Sequence, residues 1–332
     1  MVWVEFAICA VLMIAAAYAL CLEGMVLASR THIEEGVVGI FFLAVATSFP
    51  EIVVGVSSVA CLDRVALGYG DLIGSVMINS MLIIGVDYYA GKGRVLAGVS
   101  EINFLAVLFW TGVAGVITAA AVLRRHFNVF AIGPIGLESF IILGLYFTYL
   151  IDLKKKSSAA SKIKKENNIG SLGESQGKTV AGLWLKFLFL LFLVMILGVW
   201  MAFVGEKIAV STGLSHTFVG ATLLAVVTSF PEIAVTFGAM RAGSIDMALG
   251  NILGSNLFDL SILPILDVFT KGPITAGFTV GQIAVTAMAF LIPITLMVGM
   301  RSKISSNKRV GIDTAFVFAS GLAGLAVLYF VD

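Results

Sequence analysis

Two segments of the chain, Ala44-Val-Ala-Thr-Ser-Phe-Pro-Glu51 and Ala225-Val-Val-Thr-Ser-Phe-Pro-Glu232, are near copies, and each sits in the middle of a long apolar run. Thr47 and Glu51 are four residues apart, as are Thr228 and Glu232, so on a helix each pair shares one face. Pro50 has no N–H, so the carbonyl of Ala46 loses its helical partner and the helix kinks there; Pro231 repeats the break. Freed backbone oxygen, hydroxyls and a carboxylate are hard oxygen donors of the kind that suit Na⁺ or Ca²⁺. A carboxylate at membrane depth costs about 2.5–3.5 kcal/mol on insertion scales, so two such groups by accident are hard to explain.

Membrane depth follows from composition. Hydrophobic residues make up 59% of the 332, only 12% are charged, and the mean hydropathy is +1.05. A net charge of +1 gives no electrostatic reason to expect a nucleic-acid partner. Cys9, Cys21 and Cys61 lie in apolar runs and read as small buried hydrophobes. The N-terminus lacks the positive region of a signal peptide, so the first apolar run reads as a retained span.

Apolar runs predict ten spans, near 2–28, 36–61, 65–90, 98–123, 131–151, 181–204, 216–240, 244–269, 277–300 and 310–331. Residues 152–180 differ in kind, with seven lysines, several serines and glycines and few large apolar groups, and read as a solvated linker. Lys and Arg concentrate on the linker's side of the membrane. That places the linker in the cytoplasm and both termini outside. The expected chain is thus a multi-pass cell-membrane protein with lipid as its surroundings, working as a monomer.

The duplication extends further. Thr47, Ser48, Pro50 and Glu51 map to Thr228, Ser229, Pro231 and Glu232, and Gly70–Asn79 maps to Gly250–Asp259 one span later. With five spans, an odd number, in each half, the halves 1–151 and 181–332 insert in opposite senses. The fold class expected is an all-α polytopic membrane protein of ten transmembrane helices in two inverted five-helix repeats. Transporters built this way hold ions at the repeat interface, on broken helices near the midplane. Ser75 and Asn79 share a helix face, as do Ser255 and Asp259, and Gly74 and Gly254 permit close helix packing. A four-helix centre then gathers Glu51, Glu232 and Asp259, the amide of Asn79 and the surrounding hydroxyls.

These paired segments, 44–79 and 225–259, resemble the two α-repeats of the sodium/calcium exchanger (cation/calcium antiporter) superfamily. The resemblance implies a secondary antiporter, not an enzyme, that exchanges Ca²⁺ for Na⁺ by alternating access and needs no cofactor. It implies Glu51 and Glu232 as the main ligands, with Asn79 and Asp259 completing the layer. Thr47, Ser48, Ser75, Thr228, Ser229 and Ser255 would add oxygens, with the carbonyls of Ala44 and Ala225. The first and sixth spans would slide across the rest. Relatives similar to the archaeal exchangers usually carry Asn where this chain has Asp71 and Val76, whereas the second repeat keeps Asn251 and Asn256. The missing Asn, with Asp259, is also similar to the potassium-dependent branch. Ca²⁺/H⁺ or K⁺-dependent exchange are therefore the alternatives within the same fold.

Asp71 lies two helical turns from Asn79, about 12 Å along the axis, with the third span starting outside. It is expected near the external mouth, either as a span-end aspartate in water beside the positive helix N-terminus, or in an external vestibule where it concentrates cations without binding them. Other motifs carry less. Gly68-Tyr-Gly-Asp71 matches the GxGD pattern of intramembrane aspartyl proteases, but no Tyr-Asp pair precedes it and no Pro-Ala-Leu follows. Gly173–Thr179 falls one residue short of a phosphate-binding loop. Glu5, Glu23 and Glu138 fall near span ends and read as interfacial. His32, His126 and His216 show no partner at metal-ligand spacing.

Overall fold

The structure, a computed structural model, describes residues 1–30, 46–91, 95–127, 129–166, 180–301 and 310–332. Ala44, the first half of the expected second span, and 167–179 of the linker lie outside the described residues. In chain order the helices are α1 (Val2–Arg30), α2 (Phe49–Ala60), α3 (Val65–Ala90), α4 (Glu101–Leu123) and α5 (Leu137–Glu166). After the linker come α6 (Val180–Thr212), α7 (His216–Thr228), α8 (Phe230–Arg241), α9 (Ile245–Ser261), α10 (Leu263–Asp267), α11 (Val280–Arg301) and α12 (Ile312–Val331). Seven described helices are long and apolar enough to cross a membrane, or eight with the bent pair α7–α8 taken as one span. The chain is an all-α polytopic membrane protein.

The expected fifth span is displaced at both ends. Its first residues form a two-stranded hairpin, β1 (Ala131–Ile132) and β2 (Ile135–Gly136), and the helix starts only at Leu137. Gly133 at φ 60°, followed by Pro134, is turn chemistry that outweighs the apolar character of this stretch. At the other end α5 runs to Glu166, past the expected limit of 151, because the Lys- and Ala-rich run that follows has good helix propensity. The linker is therefore helical over its first part.

Apolar packing forms two clusters. The larger joins α3, α4, α9, α11 and α12, with Tyr69 and Trp110 fully buried in it. The smaller is built by α1 and α6 against one side of α2 and α7, through Met13, Leu20, Val194 and Met201. α1 and α6 run antiparallel and are tied at both ends. Lys207 pairs with Glu5 at 2.8 Å, where Trp200 also donates at 3.0 Å, and Lys186 pairs with Glu23 at the other end.

One device at matched positions had no expected counterpart. Buried Asp87, near the end of α3, accepts from the backbone N–H of Val95 (3.1 Å) and Gly311 (2.7 Å) and from the Thr314 hydroxyl (2.7 Å). Buried Asp267, at the end of α10, accepts from Ile274 N–H (2.8 Å), Gly136 N–H (3.2 Å) and the Ser139 hydroxyl (2.6 Å). Each carboxylate holds a following 3₁₀ turn and the start of another helix with two backbone donors and one hydroxyl. Each carboxylate thus accepts three hydrogen bonds.

Candidate functional site

The site begins at the two helix breaks. Ser48 (φ −91°, ψ 15°) and Ser229 (φ −79°, ψ 5°) leave helical geometry, and Pro50 and Pro231 open the helices that follow. The bend between α7 and α8 is 45°. Glu51 and Glu232 stand in the first turns of α2 and α8, where the positive end of a helix favours an anion.

Across the repeats the serines and glutamates are exchanged. Ser48 donates to Glu232 Oε1 at 3.2 Å, and Ser229 donates to Glu51 Oε1 at 3.5 Å, the long limit of a hydrogen bond. Ser255 of α9 also donates to Glu232 Oε1, at 3.4 Å, and the Thr47 hydroxyl faces the same carboxylate. Ser48 lies beside Asp259 as well, although neither Asp259 oxygen gains a partner in hydrogen-bond geometry. The sequence-predicted residues Thr47, Ser48, Glu51, Ser75, Asn79, Thr228, Ser229, Glu232, Ser255 and Asp259 are all buried.

Their free valences are concentrated here. Among the described residues, Glu51 Oε2, Glu232 Oε2, both Asp259 oxygens, Ser75 Oγ and both amide atoms of Asn79 have no hydrogen-bond partner. An unsatisfied buried polar group costs about 1–3 kcal/mol, and more when charged. No three acidic, His or Cys side chains among the described residues converge as a ready-made chelate. The Ala225 carbonyl already accepts from Ser229 N–H at 3.0 Å and from Thr228 at 3.4 Å.

Asp71 departs from the expected vestibule. It is fully buried and accepts a 3.1 Å hydrogen bond from Thr228 on the other repeat. The cause is backbone contact between α3 and a π turn in α7 (Gly220–Leu224). A Cβ on Gly74 would sit 2.3 Å from Ala221 Cα, and one on Gly220 would sit 2.8 Å from Asp71 N. The π turn left no mark in the apolar pattern. Glu138, in the first turn of α5 as expected of a span-end residue, is buried and bridged to Arg124, which caps α4, at 2.8 Å. His216 lies 2.6 Å from Glu206, which also holds Arg64 at 2.8 Å, joining α6 to the α2–α3 corner.

A bent pair of helices, exchanged Ser–Glu contacts and a buried set of unpaired oxygens define an ion-handling membrane protein. The sodium/calcium exchanger protein family matches residues 1–153 and 182–331, and the chain belongs to that family. It is 26% identical over 268 residues to the sodium/calcium exchanger MaX1 of Methanosarcina acetivorans, covering 71% of this chain and 74% of that protein. Its fold is similar to that of the H⁺/Ca²⁺ exchanger CAX (TM-score 0.70, 11% identity, 99% of this chain and 84% of that one). It is also similar to the sodium–calcium exchanger NCX_Mj (TM-score 0.60, 20% identity, 98% and 99%).

Proposed function

We propose that the protein is a secondary antiporter that exchanges Ca²⁺ for Na⁺ at one central site, by alternating access, as a monomer. The observation that carries this reading is the buried cluster at the two helix breaks, where Glu51, Glu232 and Asp259 keep carboxylate oxygens unpaired. Three ionised carboxylates carry a charge of −3. Several Na⁺ neutralise that fully, whereas one Ca²⁺ leaves one negative charge. The two loads draw on the same oxygens, so they exclude one another and their gradients are coupled without ATP.

In this reading the chain forms ten spans in two inverted five-helix repeats, 1–151 and 181–332, with the 152–180 linker cytoplasmic and both termini external. Glu51, Glu232 and Asp259 are the charged ligands, and Asn79 is the neutral member of their layer. Thr47, Ser48, Ser75, Thr228, Ser229, Ser255 and the carbonyls of Ala44 and Ala225 supply further oxygens. The separate α1–α6 cluster, clamped within itself by Glu5–Lys207 and Glu23–Lys186, supports a helix pair that slides as one body past α2 and α7.

The test is Ca²⁺ uptake into vesicles containing the purified protein, under imposed Na⁺, K⁺ or pH gradients. Na⁺-driven uptake that Glu51→Gln abolishes is the expected result. Uptake driven by a pH gradient alone, or one that needs K⁺, would replace Na⁺ exchange with the corresponding antiport. No Ca²⁺ movement under any gradient would overturn the reading.

A further inference from the structure

Glu206 and Lys207 are neighbours near the C-terminal end of α6, and they turn to different partners. Lys207 pairs with Glu5 of α1, inside the helix pair, whereas Glu206 reaches out of it. Its Oε1 accepts from Arg64 Nε at 2.8 Å, and its Oε2 lies 2.6 Å from Nε2 of His216, the first residue of α7. Both atoms of that second contact are buried. Two lone-pair acceptors so close would repel, so a proton lies between them. Among the described residues, these two contacts are the ion pairs that join α1 or α6 to the rest of the protein. Along its length α6 otherwise meets α2 and α7 through apolar contacts, such as Gly198 on Val53 and Gly205 on Leu224.

The far side of the contact is anchored. Gln282 of α11 donates to the Thr217 hydroxyl at 2.8 Å, and a Cβ on Gly70 of α3 would sit 2.4 Å from the Thr217 carbonyl oxygen. α7 therefore starts fastened to α3 and α11, whereas α6 stops just before it at Gly213, whose φ of 73° turns the chain. The start of α7 packs on α3, α6 and α12. Arg64 faces His216 and Glu206 from the α3 side, and Glu206 faces His216 from α6. On α12, Tyr329 packs on Phe218, and the nearby Asp332 accepts from Thr279. Asp63, beside Arg64, pairs with Lys271 at 3.1 Å.

The duplication does not reproduce this contact. At the 181-residue offset of the Thr-Ser-Phe-Pro-Glu segments, Trp3, Phe6 and Gly24 of α1 fall on Trp184, Phe187 and Gly205 of α6, and Met25 falls on Glu206. At the 180-residue offset of the Gly70 segment, Arg64 falls on Ser244. Neither counterpart carries a charge, so the pair at one end of the molecule has no equivalent at the other. We propose that Glu206, gripped by Arg64 and His216, is a proton-tightened latch that holds the outer end of α6 against the anchored helices and favours the conformation closed on that side. The inference rests on the antiport reading, in which α1 and α6 slide past α2 and α7. Histidine is the side chain whose charge ordinarily changes between about pH 5 and 8. Neutral His216 offers Glu206 one N–H, and the imidazolium adds a charge-assisted bond roughly twice as strong. External acid thus tightens the latch and slows the opening of the outer side.

The test reads motion without transport. Val210→Cys on α6 and Ile132→Cys on β1, both exposed positions, carry spin labels in a background with Cys9, Cys21 and Cys61 changed to alanine. Distances between the labels are measured by electron–electron resonance in the full-length detergent-purified protein, with choline in place of Na⁺ and without Ca²⁺. Glu206→Gln should deplete one of the distances, and acidification from about pH 8 to about pH 5 should enrich that same distance about fivefold when Glu206 is present. His216→Gln keeps an N–H donor that does not titrate, and should remove the enrichment while leaving any response of the central carboxylates. His216→Asn serves if the Gln variant does not fold. An equal pH response with and without His216 overturns the latch, and so does a distance distribution that Glu206→Gln leaves unaltered. A protein that exchanges no Ca²⁺ under any gradient, yet keeps the His216-dependent change in distance, loses the antiport reading and retains the latch.

Discussion

Ser48 on one repeat donates to Glu232 on the other at 3.2 Å, and the mirrored pair, Ser229 and Glu51, is longer at 3.5 Å. The two halves of the site are therefore not equivalent. Glu232 is faced by the hydroxyls of Ser48, Ser255 and Thr47, whereas among the described residues Ser229 is the one hydroxyl that donates to Glu51. Ser48 also stands beside Asp259, so it touches two of the three charged groups. Ser48→Ala should raise the Ca²⁺ concentration for half-maximal flux by about tenfold, corresponding to roughly 1.4 kcal/mol. Ser229→Ala should have a smaller effect. Flux titrations of the two variants decide it, and an equal or larger effect at Ser229 would contradict the asymmetry.

Glu51→Gln and Glu232→Gln each remove a charge while nearly keeping volume, so the helices should still pack. Exchange should fall by at least about 100-fold in each, a loss near 2.7 kcal/mol of barrier lowering. Na⁺-driven uptake close to wild type in either variant, with folded protein confirmed by size-exclusion chromatography, would remove that glutamate from the site.

Much of the centre was legible because it rests on local spacing repeated twice. Glu51 follows Thr47 by four residues, Asn79 follows Ser75 by four, and the second copy repeats both, so no tertiary knowledge was needed to align these side chains. Asp71 was misplaced because distance along one helix says nothing about what crosses it. The chain shows that α3 begins near Val65, but not that the backbone of α7 closes on Gly70 and Gly74 and buries the aspartate between them. Asp87 and Asp267 escaped notice for another reason. Most of their partners are backbone N–H groups, which any residue type carries, although the shared 180-residue offset from the motif segments was there to be read.

Those two aspartates lend themselves to a stability test away from the ion site. Asp87→Asn replaces an acceptor-only carboxylate with an amide whose NH₂ must face Val95 N–H, Gly311 N–H or the Thr314 hydroxyl. One donor is left facing a donor, at a cost of about 1–3 kcal/mol. Thermal unfolding in detergent should show the loss, and Asp267→Asn should behave alike because its donor set is the same in kind. The Na⁺ concentration for half-maximal Ca²⁺ exchange should be unaltered in both, since neither touches the central oxygens. Wild-type thermal stability in Asp87→Asn would mean that the contact holds nothing in place.

Gly74 gives the sharpest geometric prediction, because two helices meet there without side chains between them. A Cβ at this position would lie 2.3 Å from both the Cα and the carbonyl oxygen of Ala221, and these are backbone atoms that cannot turn aside. Gly74→Ala must therefore push α3 away from the π turn of α7, separating Asp71 from Thr228 in the process. Overpacking of this kind costs about 1–3 kcal/mol or more. Gly85, on the same helix, is the control: it is exposed and a Cβ there meets nothing within 4 Å. Gly85→Ala should be neutral or stabilising by up to about 1 kcal/mol, from helix propensity alone. Thermal unfolding and Ca²⁺ flux of the two variants separate the outcomes. Loss of both stability and flux in Gly74→Ala, with both retained in Gly85→Ala, is the expected pair. A Gly74→Ala protein with wild-type stability and flux would contradict the close contact of α3 with α7.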